Sequence, residues 1–428
     1  MNEEERIVVG LDIGTTKVCA VVASVNDANQ VNILGVGKAP SDGLNRGVVV
    51  NIDKTVNAIR TAVEQAQLAS GIEVRAVNVG IAGDHIRSMR SKGVITISNR
   101  DNEITMNDVE RLLEDCQRIA LPADQQIIHV IPQEFIVDGQ DGITDPIGMS
   151  GMRMEADVHV ITGLVSAARN MYRCVERAGY VANDLILEPL ASSYAVLDDE
   201  EREAGVVLVD IGGGTTDVAV FQDNTIRHTA VIAIAGQKVT DDIRIGLSVL
   251  EDQAEKLKRE HGIAFANLVT TDEVITVPGI AGRPPKEIKK SVLANIIQAR
   301  VEEILEIVAI EIERSGYRDQ LSAGVVITGG GALIKGICPL ATEILGLDAK
   351  IGLPRGITGG LVSEVQNPIY ATGVGLVMHA MKSKSASQAQ PAKPISGGTS
   401  APTSGTQTQL NQKIQEMSDK MMRWLKEF

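Results

Sequence analysis

The sequence predicts an α/β protein that consists of two similar halves with a binding site between them. A strand–turn–strand pattern occurs twice: residues 7–22 read IVVGLDIGTTKVCAVV, and residues 206–221 read VVLVDIGGGTTDVAVF. Helical and strand patterns alternate along the rest of the chain, as in sheets that are covered by helices. Only 2% of the 428 residues are aromatic, so Val, Ile, Leu and Ala must fill the core, which favours buried parallel strands.

Length, charge and composition narrow the class of protein further. A chain of 428 residues is long enough for about two to four domains. Its net charge of −14 argues against a nucleic-acid partner, because phosphate backbones attract clustered Lys and Arg. The acidic start, MNEEER, differs from a secretory signal, and no apolar run is long enough to span a bilayer. The four cysteines and six histidines are scattered, so we expect reduced cysteines in a cytosolic protein and no metal bound by His or Cys.

The two glycine-rich turns are candidate phosphate-binding sites. Such turns expose successive backbone N–H groups and hydroxyls, which can hold phosphate oxygens, and glycine removes the Cβ where backbone and phosphate approach. The predicted contacts are Gly14, Thr15, Thr16, Lys17, Gly212, Gly213, Gly214, Thr215 and Thr216. Taken alone, either pattern is as typical of an ordinary β-hairpin as of a phosphate-binding turn. The duplication favours two turns that grip one polyphosphate from opposite sides of a cleft.

Asp12 and Asp210 end the strands that lead into the two turns. Two carboxylates beside a phosphate tail would repel it, but a Mg²⁺ ion that keeps several of its waters would reconcile the charges. We therefore predict that both residues bind Mg²⁺, through water.

A third glycine-rich segment, AGVVITGGGALI at residues 323–334, follows a strand pattern and precedes a helical one. Its glycines, Gly329, Gly330 and Gly331, would let backbone lie against a ribose or an α-phosphate. A triple glycine is a weak signal by itself, and it gains weight from its place after the two turns.

The three segments, in this order, resemble those of the actin-like ATPase superfamily. The resemblance implies an actin-like, duplicated ribonuclease-H-like fold of two lobes that binds ATP, with connecting helices at residues 188–197 (EPLASSYAVL) and 368–378 (PIYATGVGLVM). It makes Glu188 the candidate that orients water for hydrolysis, although capping of a helix is an equally good interpretation. Gly236, Glu255 and Lys258 resemble the ribose and adenine contacts of the superfamily. The sequence leaves the rate of ATP hydrolysis open.

Within this superfamily the chain resembles the FtsA family of bacterial cell-division proteins. The resemblance rests on IPQEFIVDGQDGITDPIGMSGMRMEADVHVITG, on PGIAGRPPKEI and on the C-terminal DKMMRWLKEF. It implies a subdomain 1A at 1–83 and 164–197, 1C at 84–163, 2A at 198–230 and 304–381, and 2B at 231–303. Each lobe thus carries one inserted subdomain. The resemblance also implies ATP-linked filaments, and the C-terminal peptide of the tubulin-like FtsZ as a partner that binds on 2B.

The end of the chain combines a linker with an amphipathic helix. Residues 382–409 include SASQAQPAKPISGGTSAPTSGTQTQ, which has almost no charge and no large apolar side chain and therefore predicts a flexible, disordered linker. In residues 410–428, helical spacing gathers one apolar stripe, made of Leu410, Ile414, Met417, Met421, Trp424, Leu425 and Phe428. We predict that this stripe lies on a membrane surface; docking on the protein's own body or on a second copy is the alternative.

The resemblance and the tail together predict a function. They imply a protein that polymerises with ATP on the cytoplasmic face of the bacterial inner membrane, tethers FtsZ filaments at the division septum and contacts other division proteins. The alternatives are an actin-like pilus-assembly protein, a sugar or acid kinase of the same superfamily, and a chaperone-like ATPase. The linker and helix argue against the first. The near absence of aromatic residues argues against a sugar site, and the tail is too small for a peptide-binding domain.

Overall fold

The structure is a computed structural model that describes residues 6–26, 30–98, 101–279 and 283–382. The predicted linker beyond Lys382 and the predicted helix at 410–428 lie outside the described residues, so both stay predictions. The strands are β1 (Arg6–Ile13), β2 (Lys17–Val25), β3 (Val31–Pro40), β4 (Leu44–Asn45), β5 (Val48–Val49), β6 (Ala76–Ile81), β7 (Arg87–Thr96), β8 (Gln125–Val137), β9 (Gln140–Ile143), β10 (Arg153–Leu164), β11 (Val181–Leu187), β12 (Val206–Ile211), β13 (Thr216–Gln222), β14 (Thr225–Ile232), β15 (Val274–Val277), β16 (Lys286–Lys289), β17 (Val325–Thr328), β18 (Ala349–Ile351) and β19 (Ile357–Gly360). The helices are α1 (Ile52–Ser70), α2 (Met106–Cys116), α3 (Val165–Ala178), α4 (Glu188–Val196), α5 (Asp199–Ala204), α6 (Gly236–Leu247), α7 (Glu251–His261), α8 (Lys290–Ser315), α9 (Ile337–Leu345), α10 (Val362–Val365) and α11 (Ala371–Lys382).

The first lobe is built on a six-stranded mixed sheet with the order β11-β6-β1-β2-β3-β19. Strands β1 and β2 pair antiparallel, whereas β1–β6 and β6–β11 pair in parallel. The two faces of the sheet are covered by different helices. Gly37 of β3 lies directly under Ala62 of α1, and Gly10 of β1 lies under Gly373 of α11, with no room for a Cβ in either contact.

The second lobe repeats this plan with a five-stranded sheet of order β14-β13-β12-β17-β18. Alternate side chains of β12 point to opposite faces, as a strand requires. Val207 and Val209 pack in a core with helix α8, and Leu208 packs in the core that contains helix α4 and the first sheet. Helices α6 and α7 and the β15–β16 hairpin lie between β14 and α8 in the chain and extend this lobe.

The segment between β6 and α3 forms a unit with its own core. Its sheet has the order β7-β10-β8-β9, and α2 packs on it through Leu112 and Leu113. A capping box of Thr105 and Asp108 starts α2, where Thr105 N–H donates to Asp108 Oδ2 at 3.0 Å. Across the described part of the chain, no helix has both the length and the hydrophobicity that a bilayer crossing requires.

The fold class predicted from the sequence is therefore confirmed. Two α/β lobes are joined by α4 and α11, which pack against each other between the two sheets. Each sheet begins with an antiparallel strand pair that carries one of the two glycine-rich turns.

Candidate functional site

The two glycine-rich turns close in the same way and face each other. In the first turn Gly14 N–H donates to Lys17 O at 2.9 Å, and in the second Gly212 N–H donates to Thr215 O at 2.9 Å. A Cβ on Gly213 would lie 2.5 Å from Thr16 Oγ1, and the side chain of Thr15 excludes a Cβ on Gly214 in the same way. The structure therefore brings together the turns of the two lobes, with glycine where they touch.

Lys17 lies between the first turn and the start of α11. Its Nζ is 3.0 Å from Asp12 Oδ2 and donates to the backbone oxygen of Ile369 at 2.7 Å. Burial alone would lower the pKa of Lys17, but the Asp12 carboxylate beside it raises that pKa above the ordinary value. The ammonium group is thus fully charged and fixed between the sheet and α11, at the base of the turn.

Asp210 is held by both connecting helices. Ser192 Oγ of α4 donates to Asp210 Oδ2 at 2.7 Å, and Thr372 Oγ1 of α11 lies 3.4 Å from the same oxygen. The two hydroxyls are 3.1 Å from each other. Burial raises the pKa of Asp210, and the Ser192 hydrogen bond opposes this effect in part.

Asp217 is a site residue that the sequence analysis missed. It pairs directly with Asp210 across the β12–β13 ladder, and its Oδ2 accepts from Thr215 Oγ1 at 3.2 Å. Its Oδ1 is buried and has no hydrogen-bond partner among the residues that the structure describes. Burial and the charge of Asp210 raise the pKa of Asp217 well above the usual range.

Glu188 is the first residue of α4 and directly follows β11. Its side chain lies over Gly80, where a Cβ would be 3.0 Å from Glu188 Cγ. Burial raises the pKa of Glu188 well above its ordinary value, and the charges of Asp12, Asp217 and Asp210 add to the shift. The residue is therefore next to the carboxylates of both turns, and its role in orienting water stays a prediction.

This group of acids fits a bound cation. Glu188, Asp12 and Asp210 share Lys17 as the cation that acts on them, and Asp217 lies next to Asp210 in the ladder. Within the described ranges, no set of three or more His, Cys, Asp or Glu side chains is arranged to hold a metal ion directly. A Mg²⁺ ion that retains water ligands needs fewer protein oxygens, and the unpartnered Asp217 Oδ1 offers a further acceptor for such a water.

The third glycine segment lies against the second turn. Gly329 has a φ of +80°, and Asp210 Oδ1 and Ile211 O leave no space for a Cβ. Gly331 is similarly close to Ile211, whereas Gly330 has open space on its Cβ side. The segment thus borders the site at Asp210, and Gly330 is its accessible member.

Gly236, Glu255 and Lys258 form one hydrogen-bonded group beside the second turn. Lys258 Nζ is 2.6 Å from Glu255 Oε2 and donates to Gly236 O at 3.0 Å. Thr240 Oγ1 joins them, at 2.6 Å from Glu255 Oε2 and 2.7 Å from Lys258 Nζ. Gly236 N–H donates to Gly212 O at 3.1 Å, so this group is tied to the second glycine-rich turn.

Ser192 and Thr372 were missed along with Asp217. A signal for the first two was present: each is a hydroxyl residue inside a mostly apolar, largely buried segment, EPLASSYAVL or PIYATGVGLVM. Buried hydroxyls need a partner, and for these two it is Asp210.

Two family models match the sequence. The family model described as "Cell division protein FtsA" matches residues 207–375, and the model described as "SHS2 domain inserted in FTSA" matches residues 83–162. The cell division protein FtsA of Pseudomonas aeruginosa is 43% identical over 420 residues, which cover 98% of this chain and 97% of that protein. The FtsA of Escherichia coli K12 is 40% identical over 387 residues, 89% of this chain and 91% of that protein.

Solved structures share the fold at low sequence identity. A chain of a PilM–PilN type IV pilus biogenesis complex has a TM-score of 0.64 and 17% identity, over 87% of this chain and 98% of that one. MreB5 of Spiroplasma citri bound to ADP has a TM-score of 0.53 and 16% identity, over 86% and 94%. These structures share the actin-like fold. Relatives at about 40% identity over nearly the whole length decide the family, and this chain belongs to the FtsA family of bacterial cell-division proteins.

Proposed function

We propose that the two lobes bind ATP with Mg²⁺ between the facing turns and that the bound nucleotide controls self-assembly at the membrane. One observation carries the proposal: Gly213 of the second lobe touches Thr16 of the first, with Asp12 and Asp210 buried directly behind the two turns. Backbone N–H groups of both turns would hold the phosphates, and Mg²⁺, when bound, would neutralise part of the phosphate charge.

Each buried group has a role in this proposal. Asp12 and Asp210 hold the cation through water, and Lys17 keeps Asp12 in place through its 3.0 Å contact. Glu188 lies beside these acids at the start of α4, where its carboxyl group can orient a water near the terminal phosphate. Gly236, Glu255 and Lys258 would contact the ribose and adenine, and Gly330 of the third segment, which has open space on its Cβ side, would lie against the nucleotide as well.

The same contacts would couple the nucleotide to the position of the lobes. Asp210 belongs to the second lobe, yet its carboxylate is bonded to Ser192 and Thr372 on the helices that join the lobes. Lys17 belongs to the first lobe and holds the backbone at Ile369, just before α11. A ligand that binds Asp12 and Asp210 therefore affects both connecting helices, α4 and α11. We expect the form in which the cleft between the lobes is closed to join end to end into filaments.

Assembly would in turn strengthen attachment to lipid. The stripe of Leu410, Ile414, Met417, Met421, Trp424, Leu425 and Phe428 could gain about 1.5–3 kcal/mol per fully buried large side chain, before ordering costs. One helix binds modestly, and many helices on one filament add through effective concentration. The match to the Pseudomonas aeruginosa relative covers 98% of the chain and so includes most of this tail. FtsZ, captured through its C-terminal peptide on subdomain 2B, would be held at the cytoplasmic face of the inner membrane with other division proteins.

Sedimentation with liposomes tests the tethering function. We expect full-length protein to pellet with vesicles that contain anionic lipid, more strongly with ATP and Mg²⁺ than without, and a variant that lacks residues 410–428 to stay in the supernatant. A variant with Trp424→Glu on the same helix should behave like the deletion, because a charge interrupts the apolar stripe. Lys413→Gln, on the polar side, is the matched control and should pellet nearly as the full-length protein does. Equal pelleting of all four proteins would remove the tethering claim.

A further inference from the structure

A two-residue turn near the first phosphate turn has an unusual residue in it. Arg46 and Gly47 connect β4 and β5, whose Asn45 and Val48 are paired, and their φ angles are +49° and +77°. Hairpin turns with two positive φ angles favour Asn-Gly or Gly-Gly, and a left-handed φ is uncommon for a long side chain such as arginine. The conformation therefore gives no reason for arginine at this position.

The turn is fixed against the nucleotide site. Gly47 N–H donates to Thr15 Oγ1 at 3.2 Å, and Ala82 O lies 2.7 Å from where a Gly47 Cβ would be. Because Thr15 Oγ1 already accepts this hydrogen bond, the hydroxyl proton of Thr15 remains available to donate to a ligand. The turn thus positions the threonine that touches Gly214 of the opposite lobe.

The Arg46 side chain lines the cleft between the lobes, opposite α6. The other charged residues of this cleft wall are Lys238, Asp241, Asp242, Arg244 and Arg300. Its acids are already paired, Asp241 with Lys238 at 3.1 Å and Asp242 with Arg300. Arg46 makes no ion pair within the described residues. It is an unpaired cation near the point where the two phosphate turns meet.

We propose that Arg46 contacts the terminal phosphate of a nucleoside triphosphate held between the turns, so that the site binds a triphosphate more tightly than a diphosphate. The inference rests on the proposed nucleotide site. A guanidinium group offers a planar fork of donors that suits phosphate oxygens, and such charged hydrogen bonds are among the stronger ones in proteins. A diphosphate lacks the group that this arginine would reach.

Calorimetric titration of ATP and of ADP, each with Mg²⁺, separates this role from a structural one. The variant Arg46→Asn keeps a residue that favours the turn, so the melting temperature should be unchanged or higher. We expect its ATP affinity to fall by about tenfold or more and its ADP affinity by less than about threefold. Arg46→Lys should lie between the two proteins for ATP. The control is Arg75→Asn, an exposed arginine of the same lobe that pairs with exposed Glu73.

The outcomes are distinct. A loss confined to ATP in Arg46→Asn, with the control unchanged, supports the proposal. Equal weakening of ATP and ADP, or no change in either, overturns it while the proposed nucleotide site stands. A natural-sequence protein that binds neither nucleotide contradicts the proposed function, and this inference with it.

Discussion

Several carboxyl groups lie at the base of the cleft. Their raised pKa values reflect burial and the short distances between acidic residues of the two lobes. Burial raises the pKa of Glu188, of Asp217 and of Asp210, and the negative charge of Asp12 adds to all three shifts. In the absence of a cation this arrangement opposes folding at neutral pH, because ionised groups are held near one another. A bound cation would reverse the sign of that effect.

Replacing Glu188 with glutamine should stabilise the nucleotide-free protein at neutral pH. An unfolded glutamate ionises with a pKa of about 4.3, and the folded state holds its proton to a higher pH. Folding stability from this group is therefore complete below about pH 4.3 and is lost as pH rises through the raised folded pKa. Denaturant unfolding at pH 7.5 and pH 5 should show a gain for Glu188→Gln that shrinks at the lower pH. Glu73→Gln, on an exposed side chain, is the control. A variant less stable than the natural protein at pH 7.5 would contradict this account.

The sequence could predict some of these residues and not others, for reasons of register. Asp12 and Asp210 were predicted because each ends a buried strand before a glycine turn. Asp217 was missed because the motifs GTTK (residues 14–17) and GTTD (residues 214–217) align without a gap. That alignment makes Asp217 the counterpart of Lys17. In the structure Asp12 pairs with Cys19 and Asp210 pairs with Asp217, so Asp217 occupies the position of Cys19 in the repeat. Only strand pairing reveals that difference.

Among the elements, the crossing of α4 and α11 determines how closely the lobes are joined. Gly375 of α11 lies against the backbone oxygen of Ala191 in α4, and a Cβ at Gly375 has no room. The same crossing lets Ser192 and Thr372 reach Asp210 together. Close contact between the helices is thus a condition for the site geometry.

The substitution Gly375→Ala should therefore destabilise the protein. The new methyl group would overlap backbone, which cannot rotate away, and overpacking of this kind costs about 1–3 kcal/mol. Gly246→Ala in α6 is the matched control, since its Cβ would meet only the flexible end of Ile296 at 3.0 Å. That change should be neutral or stabilising by up to about 1 kcal/mol, through helix propensity. Chemical unfolding of both variants checks the pair. Equal stabilities would mean that the crossing can relax.

The two connecting helices were expected from the resemblance and not from hydrophobic spacing. The resemblance implies a helix at 188–197, and α4 covers nearly the same residues. It implies one helix at 368–378, whereas the structure has a 3-10 turn at Pro368–Tyr370 followed by α11 up to Lys382. The Asn367 side chain accepts from Ile369 N–H and holds the turn apart from the helix. Such a hydrogen bond between a side chain and the backbone does not change the spacing of apolar residues, so that spacing does not predict where the helix begins.

On the scale of the whole molecule, the inserted unit contacts both lobes. Gln133 Nε2 of β8 donates to the backbone oxygens of Ile226 and Arg227 on β14, each at 3.1 Å, and Ser88 Oγ donates to Thr229 O at 2.9 Å. The sequence predicts a compact insertion at 84–163 but not this docking, because contacts between distant segments produce no periodic pattern. Closure of the cleft would therefore affect the insertion, which is hydrogen-bonded to β14, as well as the two connecting helices.

The claim that both lobes grip one nucleotide is tested most directly by calorimetry on one carboxylate from each lobe. The experiment titrates ATP with Mg²⁺ into the natural-sequence protein, Asp12→Ala and Asp210→Ala, and repeats each titration in excess chelator. The account predicts that both variants lose ATP affinity sharply with Mg²⁺ and that the three proteins differ much less without it. Unchanged affinity in either variant would mean that its lobe does not take part in binding the nucleotide and would contradict the account.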